Sequence, residues 1–351
     1  MTKNWLVLFA AITLWSCNSE VDRQESVADY YQIVGEAQGT TYAITFQGNQ
    51  NPTKVKSSVD SLLAVYDLAN SIYKPTSLIT QLNNSSSASF AVASFPEHAY
   101  FKTCFEVAKD VYQLTNGAFN PAVYPLVNYW GFHKENFNHS PDSSEIKELL
   151  VLIDFSDESF NFKEGVVSRS NPEAKIDFNA LAQGHSVDVV GDYLEHQGIE
   201  NYMVEIGGEL SCKGKNPNQQ SWKIGIEKPT DDPTSDPNDF QMIATLTNKS
   251  LATSGNYRKF YEIDGQRYAH TIDPVSGYPA RQNLLSVTVI TDECVYADAF
   301  ATAFMVMGME KSITFIEQHP DLSIHAYFVY DENGQYLTKM TEGFEKFILQ
   351  N

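Results

Sequence analysis

An aspartate and a threonine four residues apart could form an oxygen site for a divalent cation. If residues 296–303 are helical, Asp298, Ala301 and Thr302 lie on one face, because they are spaced by three and four positions. A carboxylate, a hydroxyl and a backbone carbonyl are ligands that suit Mg²⁺ or Ca²⁺. An Asp near a helix start can instead interact with the helix dipole, and a Thr can bond to its own turn. The spacing alone leaves both interpretations open.

A histidine beside a rigid turn is the second candidate. His270 comes shortly before the sequence Asp273-Pro274-Val275-Ser276-Gly277, and Asp-Pro-x-x-Gly is a turn signature. An imidazole fixed there could act as a general base near neutral pH, and a histidine packed at a strand end is the alternative. No His pair in the sequence has HxxH or HExxH spacing, so a zinc site is not indicated.

A third segment, residues 175–185, predicts a strand that runs into a helix through small residues. A helix start of this kind exposes backbone N–H groups that could hold a phosphate. The segment has neither GxGxxG nor GxxxxGK[ST], so neither a dinucleotide-binding fold nor a P-loop is indicated. Residues 253–257 and 216–218 are rich in turn formers and could line a pocket, although plain loops have the same composition.

The elements that must position these residues alternate irregularly along the chain. Alternating or β-branched runs predict strands, and apolar residues three or four apart predict amphipathic helices. The predicted strands are 39–46, 176–178, 201–206, 222–226, 243–246, 285–290 and, as the last core strand, 323–330. The predicted helices are 52–69, one through 101–112 that ends near 115–117, one that ends at 196, and 294–307. An α+β or an α/β fold fits this order, in one continuous domain.

The composition excludes several functional classes. The 351 residues include 24 Lys and Arg against 44 Asp and Glu, a formal net charge of −20. Nucleic-acid binding requires a basic surface, so no nucleic-acid partner is expected. With 42% hydrophobic and 19% charged residues, the composition is that of a globular protein. An anionic ligand would need a local positive charge to offset this acidity.

The first residues resemble a bacterial lipoprotein signal. Lys3 precedes an apolar run over 5–15 that is too short to span a membrane, and a small residue stands directly before Cys17. We therefore expect residues 1–16 to be a signal peptide and Cys17 to be lipidated. An ordinary export signal with a coincidental cysteine is the alternative.

The same interpretation divides the rest of the chain. Residues 17–29 are expected to be a lipidated, flexible tether, and residues 30–351 the functional domain. The expected location is the cell envelope, with the lipid anchor in the inner membrane on the periplasmic side. The remaining cysteines show no CxxC or zinc spacing and imply no disulfide framework: Cys104, Cys212 and Cys294.

An ordered series of motifs resembles the ApbE family, whose members are FAD:protein FMN transferases. The motifs are GTTY, SIYKPTSLITQLN, TNGAFNPAVYPLVNYWGF, KIDFNALAQG, VEIGGEL, GKNPNQQSWKIGI, LATSGNYRKF, AHTIDPVSGYP and ADAFATAFMVMG, between about residues 35 and 309. The resemblance implies a single compact α+β domain, a mixed sheet with flanking helices related to the T-fold. It also implies Mg²⁺-dependent cleavage of the FAD pyrophosphate, transfer of the FMN phosphoryl group to a Thr or Ser hydroxyl of a partner protein, and release of AMP.

The resemblance also assigns roles to individual residues. It implies metal ligands at Asp298, Thr302 and the backbone carbonyls of Ala180 and Ala301. It implies catalytic roles for Asp298 and for His270, the candidate base for the incoming hydroxyl. The implied flavin contacts are Gln38, Tyr73, Ala118, Phe119, Asn120, Asp177, Gln183 and Ile272.

Several positions depart from the family pattern. Gln38, Asn120, Gln183 and Glu205 replace a usual Met, Asp, Lys and Asn. These changes affect the expected flavin contacts and leave the metal and histidine positions unchanged.

Three functions remain open at this point. The resemblance favours an FMN transferase with Mg²⁺ as cofactor and FAD as substrate. An FAD pyrophosphatase that releases FMN and AMP would use the same residues, and a flavin-binding lipoprotein without turnover would need fewer of them. For a transferase, the implied acceptors are membrane flavoproteins, such as subunits of sodium-pumping NADH:quinone reductase or of Rnf-type complexes.

Overall fold

Antiparallel strands form most of the framework in this computed structural model. The structure describes residues 29–132, 141–228, 240–256, 260–263, 266–269, 271–280 and 283–349. The strands in these ranges are β1 (Tyr30–Ala37), β2 (Thr40–Gln47), β3 (Ser89–Ala91), β4 (Phe160–Lys163), β5 (Val166–Arg169), β6 (Tyr202–Ile206), β7 (Glu209–Lys213), β8 (Trp222–Glu227), β9 (Phe240–Leu246), β10 (Lys249–Gly255), β11 (Phe260–Ile263), β12 (Gln266–Ala269), β13 (Leu284–Thr291), β14 (His325–Glu332) and β15 (Gln335–Met340).

The α-helices lie mainly against one face of the largest sheet. They are α1 (Pro52–Asn70), α2 (Leu78–Asn84), α3 (His98–Leu114), α4 (Tyr124–Tyr129), α5 (Ser143–Leu150), α6 (Ala182–His196), α7 (Cys294–Met307) and α8 (Met309–Gln318). Short 3₁₀ turns occur at Val92–Ser94, Pro121–Val123, Pro320–Leu322 and Phe344–Phe347. In the described part of the chain, no helix combines the length and the apolar character needed to cross a membrane.

The largest sheet has eight strands in the order β1-β2-β6-β7-β10-β13-β14-β15, and each neighbouring pair is antiparallel. Smaller sheets pair β3 and β4 with β5, β8 with β9, and β11 with β12. The strands that carry the candidate site residues are therefore neighbours in space although they are far apart in sequence.

The two faces of this sheet are covered differently. Helices α1 and α6 pack on β1, β2 and β6 through one apolar cluster, whose members include Val59, Val190 and Ile206. Helix α7 packs on β10 and β13. On the opposite face, Leu210 and Leu251 of the sheet contact the β8–β9 hairpin and the C-terminal Phe344–Phe347 turn. This arrangement leaves the first turns of α6 and α7 in contact above the middle of the sheet.

Most predicted elements are confirmed. Helix α7 has the predicted bounds, α1 ends one residue later than expected, and α6 ends at His196. Gly198 follows α6 with a φ of 76°, as expected of a glycine that ends a helix. The mixed α+β domain predicted from the sequence is thus confirmed.

One predicted strand is wrong. Residues 176–178 form no strand, because the side-chain amide of Asn83 bonds both the N–H and the carbonyl of Ile176, at 3.0 and 2.8 Å. The next N–H, that of Asp177, bonds the Pro121 carbonyl at 2.8 Å. Ile176 and Phe178 are buried, so the apolar pattern belongs to a loop that lines the core. The backbone groups of this loop make their hydrogen bonds without pairing to a neighbouring strand.

The strand predicted at 323–330 is confirmed as β14, the last strand with a buried core segment. A further strand that the sequence did not predict, β15, follows it and forms the edge of the sheet. The residues of β15 are mostly exposed, so their apolar signal is weak. The predicted signal peptide at 1–16 and the lipidation site Cys17 lie outside the described residues.

Candidate functional site

The first turns of α6 and α7 meet at Gly184 and Asp298. The Gly184 N–H donates to Asp298 Oδ2 at 3.0 Å. A Cβ at position 184 would lie 2.8 Å from the Asp298 Cβ and 2.5 Å from the Cys294 carbonyl oxygen, so only glycine permits this approach. The two helices are therefore joined at the residue that the sequence assigned to metal binding.

The amides at the start of α6 do not form the phosphate cradle predicted from the sequence. The Ala182 N–H bonds the Phe178 carbonyl at 2.7 Å, and the His185 N–H bonds the Leu181 carbonyl at 3.0 Å. With the Gly184 N–H bound to Asp298, most donors of this turn are occupied within the protein. The helix start orients a carboxylate instead of a phosphate.

A second carboxylate on α6 caps α7. Asp188 accepts hydrogen bonds from the Cys294 and Val295 N–H groups, both at 2.8 Å. A side chain of another helix thus satisfies donors at the start of α7, where a negative charge also interacts favourably with the helix dipole. The cap fixes α7 in register with α6 and so fixes the direction of Asp298.

The other predicted cation ligands lie close to the same contact along the chain. The Thr302 hydroxyl lies 3.2 Å from Ser254 Oγ on β10. Ala180 is two residues before α6, and among the described residues no backbone N–H bonds its carbonyl. Ala301 is fully buried inside α7. Oxygens of Asp298, Thr302 and Ala180 are therefore the groups here that could hold a cation.

The electrostatics of this site are unfavourable without a cation. Burial raises the pKa of Asp298 to about 7, although the bond from the Gly184 N–H lowers it. No ion pair among the described residues includes Asp298. The described part of the chain contains no group of three His, Cys, Asp or Glu side chains arranged to hold a metal. A cation here would therefore need carbonyl and hydroxyl oxygens as well.

A second half of the candidate site surrounds Asp177. The Asn179 N–H donates to Asp177 Oδ1 at 2.8 Å, and the Asn179 amide lies 3.5 Å from the hydroxyl of Tyr73. Burial raises the pKa of Asp177 to about 6. Tyr73 is 66% exposed, and the Asp177 charge adds to the burial that raises its pKa. An exposed ring close to a buried carboxyl offers a stacking surface beside a polar group.

Two predicted flavin contacts are held by hairpin turns. Gln38 occupies the turn between β1 and β2 with a φ of 55°, and its Oε1 accepts a hydrogen bond from Ser186 Oγ at 3.2 Å. The Gln38 Nε2 atom is buried and has no hydrogen-bond partner among the described residues. Gln183 donates through Nε2 to the Ile206 carbonyl at 2.9 Å, directly against Gly207. The two amides therefore connect the start of α6 to the β1–β2 and β6–β7 turns.

The contacts predicted at 118–120 are restricted by burial. The Phe119 side chain lies in the core, so only its backbone could face a ligand. The side chain of Asn120 accepts a hydrogen bond from the Ala122 N–H and donates to the Ile153 carbonyl, both at 2.8 Å. The Ala118 N–H bonds the Thr115 carbonyl at 3.2 Å. This loop is rigid and offers mainly backbone groups.

The turn after His270 is described, whereas His270 itself lies outside the described residues. The Gly277 N–H bonds the Asp273 carbonyl at 2.8 Å, and Trp130 Nε1 donates to the Gly277 carbonyl at 2.8 Å. Ile272 is buried and pairs with Pro279 in an isolated bridge. The predicted Asp-Pro-x-x-Gly turn is confirmed, and a tryptophan anchors it to the body of the domain.

This arrangement can be compared with known proteins. The family model described as the ApbE family matches residues 38–328, which is most of the chain. The chain belongs to the ApbE family.

Relatives of known name support this membership over nearly full length. An FAD:protein FMN transferase of Vibrio cholerae is 36% identical over 321 residues, which cover 90% of this chain and 91% of the relative. An FAD:protein FMN transferase of Haemophilus influenzae is 29% identical, and the match covers 96% of this chain and 94% of that relative. The solved flavin transferase ApbE of Vibrio cholerae superimposes with a TM-score of 0.80 at 33% identity, covering 92% of this chain and 100% of that chain. The apo form of the flavinyl transferase ApbE of Pseudomonas stutzeri also superimposes with a TM-score of 0.80. It is 28% identical, and the match covers 92% of this chain and 98% of that chain.

Sequence reasoning missed several polar residues of this ApbE domain. Asp188 and Asn83 bond backbone groups 106 and 93 positions away, and no local pattern indicates such partners. Ser254 lies in a turn-rich stretch without a distinctive motif, and Glu209 follows a Gly-Gly turn. An acidic residue directly after the Gly207-Gly208 turn, in a strand with alternating burial, is a signal that could have identified Glu209.

A buried polar network lies behind the start of α6. The Tyr66 hydroxyl donates to the Ala182 carbonyl at 2.8 Å and lies 3.1 Å from His185 Nδ1 and 3.3 Å from Cys104 Sγ. Burial raises the pKa of Cys104 to about 12 and lowers that of His185 to about 4. Neither group is charged at neutral pH, so the network supports the helix start as a neutral set of hydrogen bonds.

Proposed function

We propose that this chain is an FAD:protein FMN transferase that acts on a hydroxyl-bearing partner flavoprotein. The observation that carries the proposal is segment 177–184, which joins the two halves of the candidate site. It presents Asp177 beside an exposed tyrosine at one end and bonds Gly184 to Asp298 at the other. Relatives named FAD:protein FMN transferase that match nearly the whole chain support the same activity.

The proposed reaction exchanges one phosphorus–oxygen bond for another. A Thr or Ser hydroxyl of the acceptor attacks the phosphorus on the FMN side of the FAD pyrophosphate. The bond to the bridging oxygen breaks, and AMP leaves with that electron pair. The hydroxyl proton passes to a base, for which His270 is the candidate. Such a transfer depends mainly on positioning and on neutralising the charge of the phosphoryl oxygens.

The donor set fits a hard divalent cation, and Mg²⁺ is the proposed cofactor. Asp298 is a buried carboxylate without a cationic partner among the described residues, Thr302 offers a hydroxyl, and Ala180 offers a carbonyl. Ala301 is the remaining residue of the proposed ligand set. When bound, the cation would neutralise charge on the pyrophosphate oxygens. Asp298 holds its direction through the Gly184 bond before any ligand arrives.

The flavin half of the site is proposed to bind the isoalloxazine ring and the ribityl chain. Tyr73 supplies an exposed ring for stacking, and Asp177 supplies a buried carboxyl at its edge. The 118–120 loop and Ile272 would line this half. Gln38 in the β1–β2 turn and Gln183 in the first turn of α6 would face the ribityl chain of the flavin. The positions proposed for flavin binding therefore come from five separate parts of the sequence.

The location and the acceptor are proposals that rest on the sequence. A lipidated Cys17 followed by the tether 17–29 would hold the domain at the periplasmic face of the inner membrane. Acceptors would then be membrane flavoproteins, such as subunits of sodium-pumping NADH:quinone reductase or of Rnf-type complexes. The net charge of −20 argues against a nucleic-acid partner.

The deciding experiment incubates the chain without residues 1–16 with FAD, Mg²⁺ and an acceptor domain that carries a Thr. Mass spectrometry should find the acceptor heavier by one FMN minus water, together with AMP. The same acceptor with that Thr changed to Val is the matched control and should stay unmodified. Free FMN and AMP with no adduct would instead indicate a pyrophosphatase, and bound but intact FAD would indicate a binding protein.

A further inference from the structure

The β6–β7 hairpin points one carboxylate into the helix layer. The turn Gly207-Gly208 has φ values of 61° and 110°, which glycine adopts readily, and it places Ile206 directly opposite Glu209. Opposite residues of an antiparallel pair lie on the same face of the sheet. Since Ile206 packs under α1 and α6, Glu209 also faces the helices.

The next pair along the ladder faces the other way. Glu205 lies opposite Leu210, which packs against the β8–β9 hairpin. The Glu205 Oε1 atom accepts a hydrogen bond from the Gly208 N–H at 2.8 Å. One hairpin thus carries two acidic residues, Glu205 on the far face and Glu209 on the face that α6 and α7 cover.

Glu209 lies on β7, which contacts both α6 and α7, and one of its two carboxylate oxygens lacks a partner among the described residues. Although part of the Glu209 side chain remains accessible, its Oε2 atom is buried and has no hydrogen-bond partner among the described residues. Burial raises the pKa of Glu209 well above its usual range, and the Asp298 charge raises it further.

Two neighbouring buried carboxylates are costly unless a positive charge offsets them. No ion pair in the described ranges joins Glu209 or Asp298 to a Lys, Arg or His. A divalent cation would offset the negative charge of the two carboxylates and would give Glu209 Oε2 a partner. Carboxylates bind Mg²⁺ either directly or through its bound waters.

We propose that Glu209 is the second acidic residue of the cation site and acts with Asp298 on the bound cation or on one of its waters. The inference rests on the proposed function for the identity of the cation as Mg²⁺. Glu209 is a positioning residue, since nothing places it at the reacting phosphorus. It supplies the charge that a site with a single Asp would lack, in a site assembled from β7, α6 and α7.

The test compares Glu209→Gln with Glu205→Gln in the chain without residues 1–16, in the absence of FAD. Calorimetric titration with MgCl₂ should show about 10–100-fold weaker binding for E209Q, the usual effect of losing a supporting group at a metal site. E205Q is the matched control, because it keeps an acceptor oxygen for the Gly208 N–H, and it should bind like the wild type. Unchanged Mg²⁺ binding in E209Q would overturn the proposal.

Thermal unfolding separates a role at the cation from a merely structural one. In EDTA, E209Q should melt at or above the wild-type temperature, because one of two neighbouring buried charges has been removed. Adding Mg²⁺ should raise the melting temperature of the wild type more than that of E209Q, since a ligand stabilises the state that binds it. Equal destabilisation of E209Q with and without Mg²⁺ would show that Glu209 only supports the fold.

Asp298→Asn distinguishes this inference from the proposed function. If D298N loses Mg²⁺ binding and E209Q does not, the role of Glu209 fails while the cation site stands. If neither variant changes Mg²⁺ binding, the cation site itself fails, and the inference fails with it.

Discussion

At Asp298, one side chain has both a structural and a proposed chemical task. Its Oδ2 joins α7 to the start of α6, while its charge has no cationic partner among the described residues. The alternative suggested by the sequence, an Asp that interacts with its own helix start, is replaced by a bond to another helix. Thr302 likewise contacts Ser254 on a neighbouring strand. The two residues thus face the space between elements, where a ligand could bind.

The first prediction at this scale concerns Asp298. Asp298→Asn keeps an acceptor for the Gly184 N–H but removes the charge, so we expect the fold to survive and Mg²⁺-dependent turnover to be lost. Turnover measured against Mg²⁺ concentration checks this, with the exposed Asp321→Asn as control. Normal turnover of D298N in saturating Mg²⁺ would refute its role as a ligand.

The second prediction concerns His270. His270→Ala should slow FMN transfer by about 10²–10⁴-fold, the usual contribution of a general base, and leave FAD binding largely intact. Single-turnover rates and FAD titrations measure the two effects separately. His196→Ala, at an exposed position, should change neither. If H270A no longer binds FAD, the histidine recognises the substrate and does not serve the chemistry.

At the scale of elements, the contact between α6 and α7 controls the candidate site. Gly184 allows the close approach, Asp188 caps α7, and Gln183 fastens α6 to the β6–β7 turn. Each bond joins elements that are distant in sequence. The local geometry at Asp298 therefore depends on how these elements pack and cannot be formed by α7 alone.

Gly184→Ala tests that dependence. The added Cβ would lie 2.8 Å from the Asp298 Cβ, so the helices must separate, and we expect a loss of about 1–3 kcal/mol of stability. Turnover should fall as well, because the Gly184–Asp298 bond would lengthen. Chemical unfolding and transfer assays measure both. Gly334→Ala, in an open turn with a φ of 80°, should cost stability but leave turnover unchanged.

The sequence predicted helices and strands more accurately than it predicted contacts between distant residues. The periodic, alanine-rich pattern of 294–307 predicted α7 fully, because helix formation there is local. Residues 176–178 were mispredicted because Asn83, 93 positions away, replaces the strand partner. The bond between Gly184 and Asp298 spans 114 positions, and Glu209 faces the helices only through the pairing of β6 with β7. Such contacts depend on tertiary packing, which periodicity does not encode.

At the scale of the whole molecule, acidity is the main electrostatic feature. A net charge of −20 should repel FAD, whose pyrophosphate is also negative. The proposed cation site would reverse the sign locally. FAD affinity should therefore fall when Mg²⁺ is chelated, a dependence that a neutral protein surface would not require.

The pH dependence of stability is a prediction at this scale. Burial raises the pKa of several carboxyls, among them Asp177 to about 6 and Asp188 and Asp298 to about 7. Their folded-state pKa values exceed the unfolded ones, so their stabilising contribution is complete at low pH and is lost as the pH rises through 6 to 7. Each unit of pKa shift corresponds to roughly 1.4 kcal/mol.

In EDTA, the thermal midpoint should therefore fall between pH 5.5 and pH 8. Differential scanning calorimetry across this range checks the direction, and Asp298→Asn should flatten the curve by removing one contributor. A midpoint that rises with pH in EDTA would show that these carboxyls are ionised in the folded protein at little cost.

The strand order of the large sheet also bears on when the site can form. β10 lies between β7 and β13, and α7 packs on β10 and β13, so the position of α7 depends on strands that are distant in sequence. Contacts between such distant parts of a chain form slowly, because long loops must close first. A partly synthesised chain that ends before residue 302 therefore carries the proposed flavin positions but lacks Thr302 of the proposed cation site. The cation half of the site would be completed only when nearly the entire domain has been synthesised and folded.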